Sequence, residues 1–117
     1  MCIRDRDFVF IDDIADAFVA ALGMARSIGT TTFDVGSGVP STINDLARTI
    51  AQHHGAPAPH ITGAFRDGDV RFAACDVAPT MAALDWQPQW KLDAGVARLQ
   101  DWIDGQLGTS AEALLAS

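Results

Sequence analysis

Apolar positions in this chain switch between two periods, and the switches divide it into short elements. Arg6–Ile11 (RDFVFI) is aromatic and β-branched between charges, which predicts a strand. Asp12 and Asp13 then open a helix, with Ile14, Phe18, Ala21, Leu22 and Ala25 recurring at helical spacing. Asp12, Asp13 and Asp16 sit where the positive end of the helix dipole favours acids, and Gly29 is the expected stop. Thr31–Val35 predicts a second strand and Gly36–Pro40 a turn. Ser41 or Thr42 caps the next helix, and Asp45 is placed to complete a capping arrangement. Ile43, Leu46, Ala47 and Ile50 form its apolar face, and Gly55 follows His53 and His54 at its end. Ala56–Pro59 is a loop, His60–Phe65 is extended, Arg66–Asp69 is a turn and Val70–Cys75 is another strand. Asp76 caps a helix holding Met81, Ala82 and Leu84, with Pro79 tolerated in its first turn. Trp86–Trp90 connects to a last helix, Leu92–Leu107, striped by Val96, Leu99, Trp102, Ile103 and Leu107. Gly108 is its expected stop, and Thr109–Ser117 reads as a frayed tail. Helices alternating with strands predict an α/β class.

Composition narrows what such a domain does. At 117 residues and 12.4 kDa the chain is long enough for one domain. Fifteen acids against eight Lys and Arg leave a net charge of −7. That balance argues against a nucleic-acid binder, which carries a basic stripe, and against an anionic membrane surface. No apolar run approaches the roughly 18–20 residues of a spanning helix, and the N-terminus has no apolar signal region. Cys2 and Cys75 are too few for a disulfide scaffold or a cysteine zinc site, so a cytoplasmic location is expected. The chain contains no Tyr, which excludes a tyrosine acid/base within it.

Five patterns carry candidate chemistry. Asp12, Asp13 and Asp16 have DDxxD spacing, a possible Mg²⁺ cluster, but the same acids serve a helix N-terminus. Gly36-x-Gly38, between a strand and a helix, is half of a dinucleotide fingerprint, but Ser41 replaces the third Gly. His53 and His54 point about 100° apart on a helix, so with His60 they read as a surface helix end rather than a metal site. Cys75 lies in an apolar strand beside Asp76, a setting for a buried, inert thiol. Arg66 and Arg71 flank a Gly68 turn, and arginine suits bidentate contact with phosphate. Spacing alone leaves that turn open between a solvated hairpin and an anion contact.

The order of four segments adds to this reading: RDFVFIDDIADAFVAAL, TFDVGSGVPSTINDLA, FRDGDVRFAACD and ALDWQPQWKLDAGVARLQDWI. Together they resemble the C-terminal third of extended short-chain dehydrogenase/reductases, the NAD-dependent nucleotide-sugar epimerases and dehydratases. The family analogues are an R-D-[FY]-[VI]-x-V-x-D segment, an N-[IV]-G-x-G turn, an R-x-G-D turn and an LGW-x-P segment before a last helix. The resemblance spans about residues 6–107. Within the family, GDVR preceded by TGAF looks most like bacterial nucleotide-sugar 4-epimerases, including the dTDP-rhamnose type.

The resemblance implies an α/β fold that is the substrate-binding portion of an extended Rossmann-type enzyme, lacking the N-terminal NAD-binding half. It implies that Arg66 and Arg6 contact a nucleotide diphosphate and that Asp69 holds the nucleoside end. Asp34 stands where the family often has Asn, and Asp85 where it has Gly, a substitution that matters if position 85 needs φ > 0. The family's glycine-rich NAD loop and Tyr-x-x-x-Lys pair have no counterpart here, and Lys91 is the one lysine. Met1–Arg6 (MCIRDR) resembles translated adaptor sequence. The expected division is therefore 1–6 as a non-native or truncated start, 6–107 as the substrate-binding region and 108–117 as a flexible tail. The parent protein is expected to use NAD and a nucleotide sugar and to form a homodimer through helices absent here. The chain alone is expected to bind no cofactor or metal and to be inactive. An alternative is a stand-alone acidic α/β module in which Arg66 and Arg71 bind an anionic metabolite or a protein partner.

Overall fold

The computed structural model describes residues 5–24 and 31–116, with side chains through Gly108. The expected stop at Gly29 and the adaptor-like residues Met1–Arg4 lie outside them. The order is β1 (Asp5–Arg6), α1 (Ile11–Met24), β2 (Ser41–Thr42), α2 (Ile43–His54), β3 (Phe72–Ala73), α3 (Ala78–Leu84) and α4 (Leu92–Ala116). The three strands form one sheet in the order β2-β1-β3. β1 pairs antiparallel with β2, Arg6 opposite Ser41, and parallel with β3, Arg6 opposite Ala73. The class is α/β, as the alternation predicts. Among the described residues no helix is long and apolar enough to cross a membrane.

Helix α2 follows local chemistry closely. Thr42 is its N-cap, the Thr42 hydroxyl accepts from the Asp45 amide at 2.9 Å, and the Asp45 carboxylate accepts from the Thr42 amide at 3.0 Å. This reciprocal box satisfies two amides that the helix start leaves unpaired. At the other end Gly55 takes φ 62°, ψ 27°, the left-handed cap that glycine adopts without strain.

Three expectations are corrected. The strand expected over Arg6–Ile11 is regular only at Asp5–Arg6, and the chain then leaves the sheet so that the Phe10 carbonyl can accept the Asp13 and Ile14 amides opening α1. Thr31–Val35 forms no strand. Phe33 and Val35 instead pack against the cluster of Ala17, Leu84 and Trp86, and the Asp34 carbonyl accepts the buried Thr80 hydroxyl at 2.6 Å. α4 does not stop at Gly108 but continues to Ala116. Glycine costs a helix about 1 kcal/mol relative to alanine, too little to end one already several turns long.

The core is small. Among the described residues the buried apolar side chains are Ala17, Val77, Leu84, Trp86 and Val96. Ile11, Phe18, Val19 and Leu22 of α1 are all more than two-thirds exposed. The chain exposes 8697 Å², roughly 2,600 Å² more than a folded monomer of its mass. Its radius of gyration is 18.2 Å, against about 13 Å for a compact domain of this length. The sequence has the apolar content for a core, but much of that surface faces outward.

Candidate functional site

The candidate site is assembled around β1, where three distant segments meet. On one side lies the turn Arg66–Asp69. The Asp69 amide donates to the Arg66 carbonyl at 3.3 Å, and Gly68 takes φ 80°. That is a four-residue turn whose third position needs positive φ, which glycine supplies freely. The turn sets Arg66 and Asp69 at its two ends, both exposed. Asp69 reaches back to β1, its Oδ1 lying 3.3 Å from Nη2 of Arg6. The same guanidinium nitrogen donates to the Val70 carbonyl, and Nη1 donates to the Asp5 carbonyl.

The three residues nominated from the motifs therefore lie in two adjoining elements. Arg6 and Asp69 touch directly across 63 positions of sequence, and Arg66 begins the turn that Asp69 ends. Arg71 is exposed just before β3. Beside Arg6, its sheet partner Ser41 lines a cleft of about 560 Å³ with Phe8, Ser37, Thr49, Trp90 and Lys91.

On the other side of β1, Asp7 ties the strand to the glycine turn. Its Oδ1 accepts from the Ser37 amide at 2.6 Å and the Ser37 hydroxyl at 2.5 Å. Its Oδ2 accepts from the Gly38 amide at 3.4 Å and lies 3.8 Å from the Cys75 thiol. Gly36 is buried here, and a Cβ on it would fall on the Asp7 carboxylate and the Cys75 sulfur. The half-fingerprint Gly36-x-Gly38 thus does build an anion cradle, but the anion is the chain's own carboxylate. With the Ser37 and Gly38 amides taken by Asp7, the turn does not fit a dinucleotide pyrophosphate. Burial, then the neighbouring Asp7 and Asp34 carboxylates, push the Cys75 thiol above its ordinary value of 9.0, as expected for an unreactive cysteine.

The acidic cluster at α1 also has another use. Among the described residues, no group of three or more metal-ligating side chains forms a metal site. Asp13 is 1% exposed and points at the connector. Its two oxygens accept the Gln89 and Trp90 amides at 2.9 and 3.0 Å, and its carbonyl accepts the Trp86 indole N–H at 3.0 Å. Phe10 stacks on Trp90 with ring centroids 4.4 Å apart. These contacts fix the segment just after β1 against the start of α4. His53 lies 3.7 Å from Asp101, and His54 shares a 2.6 Å hydrogen bond with Gln100, so both histidines join α2 to α4.

Sequence reasoning nominated Arg6, Arg66 and Asp69 but missed Asp7 and Ser37. The signal was present as an acid directly after the arginine and a serine between two glycines, yet nothing local relates positions 30 apart.

No family model matches the chain. Among curated proteins it is 54% identical over 102 residues to the dTDP-L-rhamnose 4-epimerase of Burkholderia thailandensis, covering 87% of this chain and 28% of that one. It is 41% identical over 98 residues to the UDP-glucose 4-epimerase of Mycolicibacterium smegmatis, covering 84% of this chain and 31% of that one. The chain thus spans under a third of the length of these relatives. Among solved structures it superposes on MoeE5 in complex with UDP-glucose and NAD with a TM-score of 0.81, at 24% identity over 92% of this chain and 36% of that one. A UDP-glucose 4-epimerase from Thermotoga maritima, solved with UDP-glucose, gives a TM-score of 0.75 at 24% identity, over 89% and 33% of the two chains. The fold is that of a part of the extended short-chain dehydrogenase/reductase epimerases, as the four motifs imply.

Proposed function

We propose that this chain, similar throughout its motif-bearing region to nucleotide-sugar 4-epimerases, is the C-terminal substrate-binding part of an NAD-dependent UDP- or dTDP-sugar 4-epimerase. One observation carries the reading. The turn holding Arg66 and Asp69 closes onto Arg6 from 63 residues away: Asp69 pairs with Arg6, and Arg66 begins the same exposed turn. Two arginines neutralise a diphosphate and hold it in a fixed orientation, and the carboxylate accepts hydrogen bonds donated by the nucleoside's hydroxyls. In the free chain Asp69 occupies Arg6, and a diphosphate competes with it for the same donors.

This chain's share of the work is binding and orientation. NAD supplies the redox step in the parent protein, and the described residues here do not hold it. The chain contains no tyrosine to act as acid or base, and the glycine turn is filled by Asp7. The 117 residues alone are therefore catalytically inactive and dependent on the parent's other helices for dimerisation.

A hybrid enzyme tests the reading. Residues 6–107 replace the matching segment of the Burkholderia relative, and 4-epimerisation of dTDP-L-rhamnose is assayed. The hybrid is expected to turn over, and Arg66→Ala is expected to raise KM at least tenfold. A folded hybrid that loads NAD but shows no epimerisation overturns the proposal.

A further inference from the structure

We propose that Asp7 is a positioning residue for the diphosphate grip, acting through Arg6; this rests on the function proposed above. The argument begins with how little else holds β1. The strand is two residues long, and so are both its partners. Strands that short do not fix their own register. A slip of one residue would turn Arg6 to the opposite face of the sheet.

Asp7 prevents that slip. It is the residue after Arg6 and so points to the other face. There its carboxylate gathers the Ser37 amide and hydroxyl, the Gly38 amide and the Cys75 thiol. These donors come from the turn before β2 and from the segment after β3, the two neighbours of β1 in the sheet. One side chain therefore pins the central strand to both flanks. Gly36 is glycine because the carboxylate needs the space a Cβ would occupy. With Asp7 held, Arg6 has one direction left, across the end of β3 toward Val70 and Asp69.

Electrostatics gives the test a sign. If Asp7 acted only as a negative charge near the site, neutralising it would tighten diphosphate binding by removing repulsion. If it acts by positioning Arg6, neutralising it weakens binding. The affinity of the 117-residue chain for uridine diphosphate and thymidine diphosphate is measured by ligand-observed NMR for the unmodified chain, Asp7→Asn, Arg6→Ala and the double variant. Asp7→Asn is expected to weaken binding on the order of tenfold, and to add nothing once Arg6 is alanine. Unchanged or tighter binding, or an equal loss in the Arg6→Ala background, overturns the inference. Should Asp7→Asn lose its fold by circular dichroism, Ser37→Ala takes its place: about threefold weaker binding supports the inference, and unchanged binding overturns it. An unmodified chain that binds neither diphosphate, or an Arg66→Ala variant that binds as well as it, overturns the functional reading together with the inference. Loss in Arg66→Ala without loss in Asp7→Asn overturns the inference alone.

Discussion

Asp85→Gly should stabilise this protein. Asp85 ends α3 at φ 49°, ψ 49°, and among the described residues it is the only non-glycine with positive φ. The strain cannot relax, because Leu84 and Trp86 on either side are both buried, at 6% and 5% exposure. The left-handed conformation costs an L-residue roughly 1–2 kcal/mol. Glycine removes that cost but loses about 0.5–1 kcal/mol more chain entropy on folding. The net gain is about 0.5–1 kcal/mol. Nothing is lost in exchange, since the Asp85 side chain is exposed and makes no contact with a partner among the described residues. A chain of this length has an unfolding entropy of about 0.25 kcal/mol/K, so Tm should rise by roughly 2–4 °C. Thermal and urea unfolding followed by circular dichroism measure this, with an unchanged urea slope showing that the midpoint shift reports stability rather than a change in the surface exposed on unfolding. Asp85→Asn should be near neutral, and Asp85→Val should lower Tm. A Tm for Asp85→Gly at or below that of the unmodified chain would refute the reasoning.

Two further outcomes follow from buried and capping acids. Asp13→Asn puts an amide N–H₂ against a backbone N–H of Gln89 or Trp90 and should destabilise by about 2–4 kcal/mol, read from the urea midpoint; a loss below about 0.5 kcal/mol would show that the connector is held elsewhere. Hydrogen bonds from the Thr42 amide and then its hydroxyl lower the Asp45 carboxyl below its ordinary 3.8. The folded value is the depressed one, so the capping box is at full strength above the unfolded value and is lost as pH falls through the folded one. Amide exchange in the first turn of α2 should speed up, after correction for intrinsic rates, between about pH 5 and pH 2, and Asp45→Asn should remove most of that dependence.

What could be read in advance was local. Thr42, Asp45 and Gly55 announce α2 within a dozen residues, because capping chemistry is satisfied by near neighbours. The turn at Gly68 was legible for the same reason. Thr31–Val35 was not: its alternation is that of a strand, but pairing needs a partner, and here Phe33 and Val35 find the α1–α3 cluster instead. Asp12 and Asp13 looked equivalent in sequence, yet Asp12 is exposed and Asp13 is buried on amides 76 and 77 residues away. The candidate site divides in the same way. Arg6, Arg66 and Asp69 were nominated because a known motif order marks them. The contact between Arg6 and Asp69, and the clamp formed by Asp7 and Ser37, are tertiary facts that no local pattern encodes.

The sheet order has a consequence for biosynthesis. β1 is the central strand, yet it precedes both its neighbours in the chain. Asp5 pairs with Thr42 and with Phe72, the latter 67 positions later. At translation rates of about 5–20 residues per second, β1 leaves the ribosome roughly 3–13 s before its last partner exists. Helices form in microseconds, so α1 and α2 are complete long before the sheet can close. During that interval Phe10 also lacks Trp90, the ring it packs against, so the Phe8-Val9-Phe10 run is an exposed apolar segment and a natural target for a nascent-chain chaperone.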